Sequence, residues 1–250
     1  MDLVSVIIIT YNRFNFLLHA LKSVYAQTYK NYEIIIINDG STEEEYYSHT
    51  FPEKVSIYHR KDNSKKVFGY ANLGFLRNFG VSKATGKYIA FLDDDDYWMP
   101  DKLKVQVNLM KTHQLSFCCS NGWIDNGGWK VNSDNKSQYG GMYDPHKTYD
   151  LVYDYPKLYQ KRYNLNFTIN QGDIFVITPK LQSRGSSLII CSSVIIDKNL
   201  YNNVDGFDEN PPKGEDARTW KKVLTQSNCL LINLPLIYYD IGHGNGRLWR

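Results

Sequence analysis

Four consecutive aspartates, Asp93 to Asp96, follow the apolar run Tyr88 to Leu92. Along an extended chain Asp93 and Asp95 point to the same side. Like charges this close repel one another, and a cation relieves them. Mg2+ and Mn2+ prefer oxygen ligands, and Mg2+ is commonly held by one or two carboxylates together with the phosphate oxygens of a ligand. The cluster thus reads as a Mg2+ or Mn2+ diphosphate site. The alternative is a solvated acidic turn ahead of the helix that begins near Pro100. Its place at the end of a buried strand favours the metal. A second acidic pair, Glu215 and Asp216, opens an amphipathic segment in Gly214-Glu215-Asp216-Ala217-Arg218-Thr219-Trp220. On local sequence alone it complements the positive end of a helix dipole.

These groups need elements to hold them. Val4 to Thr10 and Tyr32 to Asn38, the latter with four consecutive isoleucines, read as strands buried on both faces. Val55 to His59 and Tyr88 to Leu92 read as two further strands, and Ser116 to Ser120 as a fifth. Helical spacing marks Phe14 to Tyr25, Leu73 to Lys83 (stopped by Thr85-Gly86) and Asp101 to Thr112, with Pro100 tolerated at the first turn. Ser41 or Thr42 is expected to cap a helix carrying Glu43 to Glu45. From Asn121 to Thr168 the periodicity fails and loops with short helices are expected. Ser187 to Ile196 reads as a strand, Glu215 to Leu224 as a helix, and Leu230 to Tyr239 as one or two strands around Pro235. Alternating strands and helices imply an α/β fold with a mostly parallel sheet covered on both faces, with ligands bound beyond the carboxyl ends of the strands. Three polar clusters fall at such ends: Thr10-Tyr11-Asn12, Asn38-Asp39 and Asp93 to Asp96.

Composition narrows the function. The chain has 250 residues, 42% hydrophobic and 22% charged, with a net charge of only +3, which gives no case for a nucleic-acid partner. Twenty tyrosines suit stacking on a sugar or a base, or reflect a composition that also favours Asn and Lys. The four cysteines show no metal-type spacing and read as reduced core thiols of a cytosolic protein. No basic start with a cleavage site and no apolar stretch of about 20 residues is present, so a soluble protein that can touch a membrane at its surface is expected. A GxGxxG after the first strand and a P-loop are both absent.

Several stretches together resemble the family 2 glycosyltransferases with the GT-A fold. They are Val4-Ser5-Val6-Ile7-Ile8-Ile9-Thr10-Tyr11-Asn12, Gln27-Thr28-Tyr29, and Glu33-Ile34-Ile35-Ile36-Ile37-Asn38-Asp39-Gly40-Ser41. Arg77-Asn78, Ala84 to Asp96, and Met99-Pro100-Asp101-Lys102-Leu103 complete the block. Ile9 stands where many members have proline, and Asn38 where many have aspartate.

The resemblance implies residues 1–120 as a nucleotide-sugar-binding half and residues 121–250 as an acceptor-binding and catalytic-base half of the same domain. It implies that Asp39 accepts a hydrogen bond from the base and that Tyr11 stacks on it, with Thr10 and Asn12 in the same strand-end segment. Asp95 would be the metal ligand, Asp93 and Asp94 would face the ribose or the metal's surroundings, and Arg77 would support the diphosphate or the acids. Lys65 and Lys66, in an expected loop, either reach phosphate or are simply solvated. Asp216 matches the family's catalytic base, with Glu215 beside it. His243, in Ile241-Gly242-His243-Gly244, either approaches the metal or belongs to an exposed tail. Trp123, Trp129 and the tyrosines between Tyr139 and Tyr163 form an acceptor side or anchor loops, and Asp208 and Glu209 are expected to line the acceptor cleft.

The implied reaction is inverting transfer from a nucleoside-diphosphate sugar, UDP-linked, to a hydroxyl of a saccharide or lipid-linked saccharide, as in bacterial surface polysaccharide synthesis. Its implied setting is the cytoplasm or the inner face of the membrane. Two rivals stand beside it. A nucleotidyltransferase would carry a glycine-rich basic loop where Thr10-Tyr11-Asn12-Arg13 stands. A catalytically silent sugar-binding module would not require both Asp95 and Asp216.

Overall fold

The seven residues Val4–Thr10 (β1) and six of the seven in Tyr32–Asn38 (β2), all but Glu33, are buried in the computed structural model, as a β-branched run covered on both faces requires. The model describes residues 1–125, 172–178, 189–210 and 214–240. Helix α1 spans Phe14–Tyr25, α2 Glu45–Ser48, β3 Val55–His59, α3 Ser64–Phe68, α4 Leu73–Lys83 and β4 Tyr88–Asp93. There follow β5 Tyr97–Trp98, α5 Lys102–His113, β6 Phe117–Asp125, β7 Ile174–Ile177, a 3-10 turn at Cys191–Ser193, β8 Ile195–Asp197, α6 Lys198–Asn203, α7 Glu215–Gln226 and β9 Cys229–Asp240.

The strands form one sheet in the order β3-β2-β1-β4-β8-β6-β9-β5, with β7 also paired to β9. Strands β3, β2, β1 and β4 are mutually parallel. Strand β8 opposes both β4 and β6, so β6 runs with β4, and β9 runs parallel to β6. The carboxyl ends of β1, β2, β4, β6 and β9 therefore share one edge of the sheet, carrying Thr10, Asn38, Asp93, Trp123 and Tyr239. The expected α/β sheet of mostly parallel strands is the fold observed.

Alternation along the central strands sends side chains to two cores. Ile7, Ile9, Ile35 and Ile37 pack with Leu76 and Val81 of α4, Leu200 of α6 and Trp220 and Val223 of α7. Val6, Ile8, Ile34 and Ile36 pack with Leu17, Leu21 and Val24 of α1 and Leu103 and Val107 of α5. Each such fully buried isoleucine contributes about 1.5–3 kcal/mol of apolar transfer. Helix α4 lies so close on β1 that a Cβ at Gly80 would meet Ile7 Cγ2 at 2.5 Å, so no larger residue fits there.

Three readings are corrected. Ser41 and Thr42 cap no helix; α2 begins at Glu45, and the Ser41 hydroxyl accepts from Asn12 N (2.8 Å) while Thr42 N donates to Asn12 Oδ1 (2.7 Å). Over Ser187 to Ile196 the described residues form the 3-10 turn, and only Ile195–Asp197 is strand. Lys65 and Lys66 lie on helix α3 rather than in a loop. Strand β6 continues through Asn121 to Asp125, and β9 is one strand through Pro235. Trp129 and the tyrosines between Tyr139 and Tyr163 lie outside the described residues.

Candidate active site

Strand β4 delivers Asp93 to the sheet edge, where its N–H donates to Ser192 Oγ (3.1 Å). The chain then turns, with Asp96 N donating to Asp93 O (3.1 Å). Asp93 and Asp95 keep side chains 31% and 12% exposed, while Asp94 is 6% exposed and Asp96 is buried, so the two odd-numbered acids are the more open pair.

One cation ties this cluster to the other half of the chain. Arg77, buried in the middle of α4, donates from Nη2 to Asp93 Oδ1 and from Nη1 to Glu215 Oε1, both at 2.8 Å. Its guanidinium also lies over the Phe207 ring (5.2 Å). Glu215 is the first residue of α7, which starts from Gly214 in the left-handed region (φ 73°), and Asp216 follows it. Asp216 Oδ1 accepts from Ala217 N (2.6 Å), and burial first, then the neighbouring Glu215, raises its pKa, with Arg77 opposing. A carboxylate so placed is a stronger base than an exposed one.

A second arginine serves the acids from the other side. Arg13, just after β1, reaches Asp94 Oδ1 (3.0 Å) and Asp95 Oδ2 (3.2 Å) and lies over the Phe16 ring (4.1 Å). Burial still dominates, so Asp94 is pushed up to about 7 and Asp95 to about 6, against the pull of Arg13. Asp96 is held well above the carboxylate range by burial and by Asp95; its Oδ1 accepts from Asp240 N (2.9 Å).

These acids suit a hard divalent cation. Asp94 Oδ2 and Asp96 Oδ2 are buried with no hydrogen-bond partner, and two arginines, Arg13 and Arg77, face four carboxylates, with Arg77 shared with Glu215. Among the described residues no three His, Cys, Asp or Glu side chains converge as a metal cage. Two carboxylates completed by ligand oxygens is the arrangement Mg2+ or Mn2+ takes at a diphosphate.

At the far side, Asp39 is fully buried. Its carboxylate accepts from Arg60 Nη1 (2.7 Å), Ser64 Oγ (2.6 Å), Ser64 N (2.9 Å) and Asn63 Nδ2 (3.0 Å). Burial raises it and these donors lower it. A base contact through Asp39 would require one of them to let go. Through these bonds Asp39 fixes the segment that starts α3, and Lys61, Lys65 and Lys66 line, with Tyr11 and Gly40, an open cavity of about 470 Å3. Gly40 has φ 72°, and a Cβ there would come within 2.9 Å of Asn63 N. Asp39→Asn is expected to cost about 2–3 kcal/mol by breaking the partly buried ion pair and turning an acceptor toward Ser64 N into a donor. Urea unfolding of the variant checks this; a change below 0.5 kcal/mol, on the order of a surface substitution, would contradict it.

The other expected residues fall as follows. The Thr10 hydroxyl pairs with Tyr46 OH (2.6 Å). Asn12, with φ 49°, stitches its loop to Ser41 and Thr42. Trp123 is half-buried at the end of β6, in register with Tyr238. Asp208 accepts from Arg218 Nε (2.9 Å) and Glu209 from Asn78 Nδ2 (2.7 Å), so both are tied into the α4–α7 face. His243 lies outside the described residues. Arg13, Arg60 and Ser192 were not singled out by sequence; Arg13, directly after Thr10-Tyr11-Asn12 at a strand end, carried the one available signal.

Residues 5–180, more than half of the chain, match the family model described as glycosyl transferase family 2. The chain belongs to that family. An uncharacterized glycosyltransferase of Rickettsia bellii is 30% identical over 239 residues, covering 94% of this chain and 29% of that protein. The Escherichia coli UDP-Glc:alpha-D-GlcNAc-diphosphoundecaprenol beta-1,3-glucosyltransferase WfaP is 39% identical over 125 residues, covering 50% of this chain and 48% of WfaP. The chain thus spans less than half the length of these relatives. The fold matches S. aureus TarS, solved in complex with UDP, with a TM-score of 0.65 at 17% identity over 96% of this chain and 61% of the TarS chain. TarS with UDP-GlcNAc gives a TM-score of 0.66 at 17% identity, covering 98% and 60%. The chain has the GT-A fold.

Proposed function

We propose that this glycosyltransferase moves a sugar from a UDP-linked donor to a hydroxyl of a saccharide or lipid-linked saccharide, inverting the anomeric centre. The observation that supports this reading is the Asp93–Arg77–Glu215 bridge, because it joins the strand-end acids to the start of α7, where Asp216 follows Glu215. The ligands of TarS and the donor and acceptor in the name of WfaP support the donor class and a lipid-linked acceptor.

In this reading Tyr11 stacks on the base beside the lysine-lined cavity, and Asp39 holds that cavity's wall. Asp95, with Asp93, would hold a Mn2+ or Mg2+ ion, whose chemistry is to neutralise charge on the departing diphosphate. Arg13 holds Asp94 and Asp95 on one guanidinium. Asp216 accepts the proton of the attacking hydroxyl while the anomeric carbon gains oxocarbenium character, and attack opposite the leaving group inverts the centre. Arg77 fixes the start of α7 so that Asp216 keeps its aim. No helix among the described residues is long and apolar enough to cross a membrane, and we place the reaction at the cytoplasmic face as a peripheral activity.

Chelation by EDTA is expected to lower UDP release from a UDP-sugar at least about a hundredfold, with Mn2+ or Mg2+ restoring it, as loss of a charge-stabilising ion implies. Undiminished release in EDTA would remove the metal from the account.

A further inference from the structure

Tyr239 has no part in the assignments above, yet it stands at the same sheet edge. Strand β9 runs parallel to β6 and, through β8, in the direction of β4, so its final residues arrive beside the aspartates. In the antiparallel β5–β9 pair Tyr97 faces Tyr238, and one more step along that register sets Asp96 opposite Tyr239. The bond from Asp240 N to Asp96 Oδ1 (2.9 Å) pins this end of β9 to the acid cluster. Tyr238 and Asp240 are buried, at 2% and 5% exposure, whereas Tyr239, pointing to the opposite face, is half-buried. Its hydroxyl makes no hydrogen bond to a protein group among the described residues.

The charges around the phenol say what it can do. Burial raises its pKa, and Asp96, Asp93, Asp95 and Asp216 raise it further, so the proton stays on the oxygen. Those acids come from both ends of the proposed reaction. Asp93 and Asp95 belong to the diphosphate side and Asp216 to the acceptor side. A neutral O–H without a protein partner, felt by both groups, suits a ligand part that lies between them and offers oxygen acceptors.

We infer that Tyr239 is a specificity-determining residue whose hydroxyl donates to an oxygen of the sugar being transferred. The inference rests on the reading of the site as a UDP-sugar site. A bound sugar that covers this O–H but turns its own hydroxyl away cuts it off from water and leaves it unpaired, which is how such a site rejects the wrong epimer.

The test uses Tyr239→Phe in the whole chain, which keeps the ring and removes only the oxygen. Calorimetric titration with Mn2+ present compares UDP alone with UDP-glucose, UDP-galactose and UDP-N-acetylglucosamine. The expected result is UDP affinity within about twofold of wild type, while the best UDP-sugar weakens by about tenfold and the spread among the three sugars narrows, the scale of one hydrogen bond. Equal weakening of UDP and the UDP-sugar, or no weakening of either, overturns the assignment. Binding of UDP by the wild-type chain with no extra affinity from any of the three sugars overturns it too while leaving a nucleotide site. If the wild-type chain binds neither UDP nor a UDP-sugar, the reading of the site itself falls, and the role of Tyr239 falls with it.

Discussion

Asp216→Asn is expected to leave the protein folded and to reduce sugar transfer by about 10^2–10^4-fold, the span general-base catalysis supplies. The amide keeps the size of the carboxylate, and its oxygen can still accept from Ala217 N. It cannot accept the proton of the acceptor hydroxyl. UDP binding, which the proposal assigns to Tyr11 and the strand-end aspartates rather than to Asp216, should change by less than about twofold, well under the value of one hydrogen bond. The pH profile adds a second check. Because the Asp216 pKa is raised, the carboxylate form needed for catalysis is lost as pH falls through that raised value. The acid limb of kcat/KM in wild type should therefore lie above the ordinary carboxylate range. A variant with undiminished turnover, or an acid limb at the ordinary aspartate value, would take the base role away from this residue.

Arg77→Met should have the largest effect on stability. The side chain is 5% exposed and bonded to two carboxylates from distant parts of the chain. Methionine fills much of the volume but leaves Asp93 and Glu215 without their shared cation. Breaking a buried pair by removing one partner costs about 3–5 kcal/mol. For a chain of this size that is a fall in Tm on the order of 10 °C. Activity should fall with it by at least about tenfold, since a small misplacement of a positioned group is costly. Arg77→Lys, which can keep one of the two bonds, should fall between. Calorimetry and UDP release on the three proteins check this. A methionine variant with unchanged Tm would show that the bridge is not what joins the two acidic segments.

Where burial follows from local pattern, the structure agrees closely with the sequence. The β-branched run of Val4–Thr10 and the four isoleucines of β2 have no polar alternative to a strand covered on both faces. The reading of Asp93 and Asp95 as one side of an extended chain does not carry over, because β4 ends at Asp93, and Asp94 and Asp95 lie in the turn closed by Asp96 N to Asp93 O. Between Ile189 and Ile196 the same reasoning fails. Ser193 donates from both its N–H (3.0 Å) and its hydroxyl (2.7 Å) to Ile190 O, a local turn that competes with strand pairing despite the apolar residues around it. Helix α3 was hidden for a different reason. Asn63 caps its start by accepting from Lys65 N (2.9 Å), a local signal passed over in a five-residue helix, and Ser64 is further held by Asp39, 25 residues earlier. The same distance problem conceals the core of the site. Arg77 and Glu215 are 138 residues apart, and Arg13 and Asp95 are 82 apart, and no spacing rule reaches that far. What sequence supplied there was the family's motif block.

A crystal structure of the chain soaked with Mn2+ and a UDP-sugar bears most directly on whether the strand-end aspartates and the start of α7 share one reaction space. The account predicts the diphosphate and metal at Asp95, with the sugar lying between that point and the Asp216 carboxylate. A nucleotide sugar held with its diphosphate away from Asp95, or with Asp216 on a surface the sugar does not reach, would contradict it.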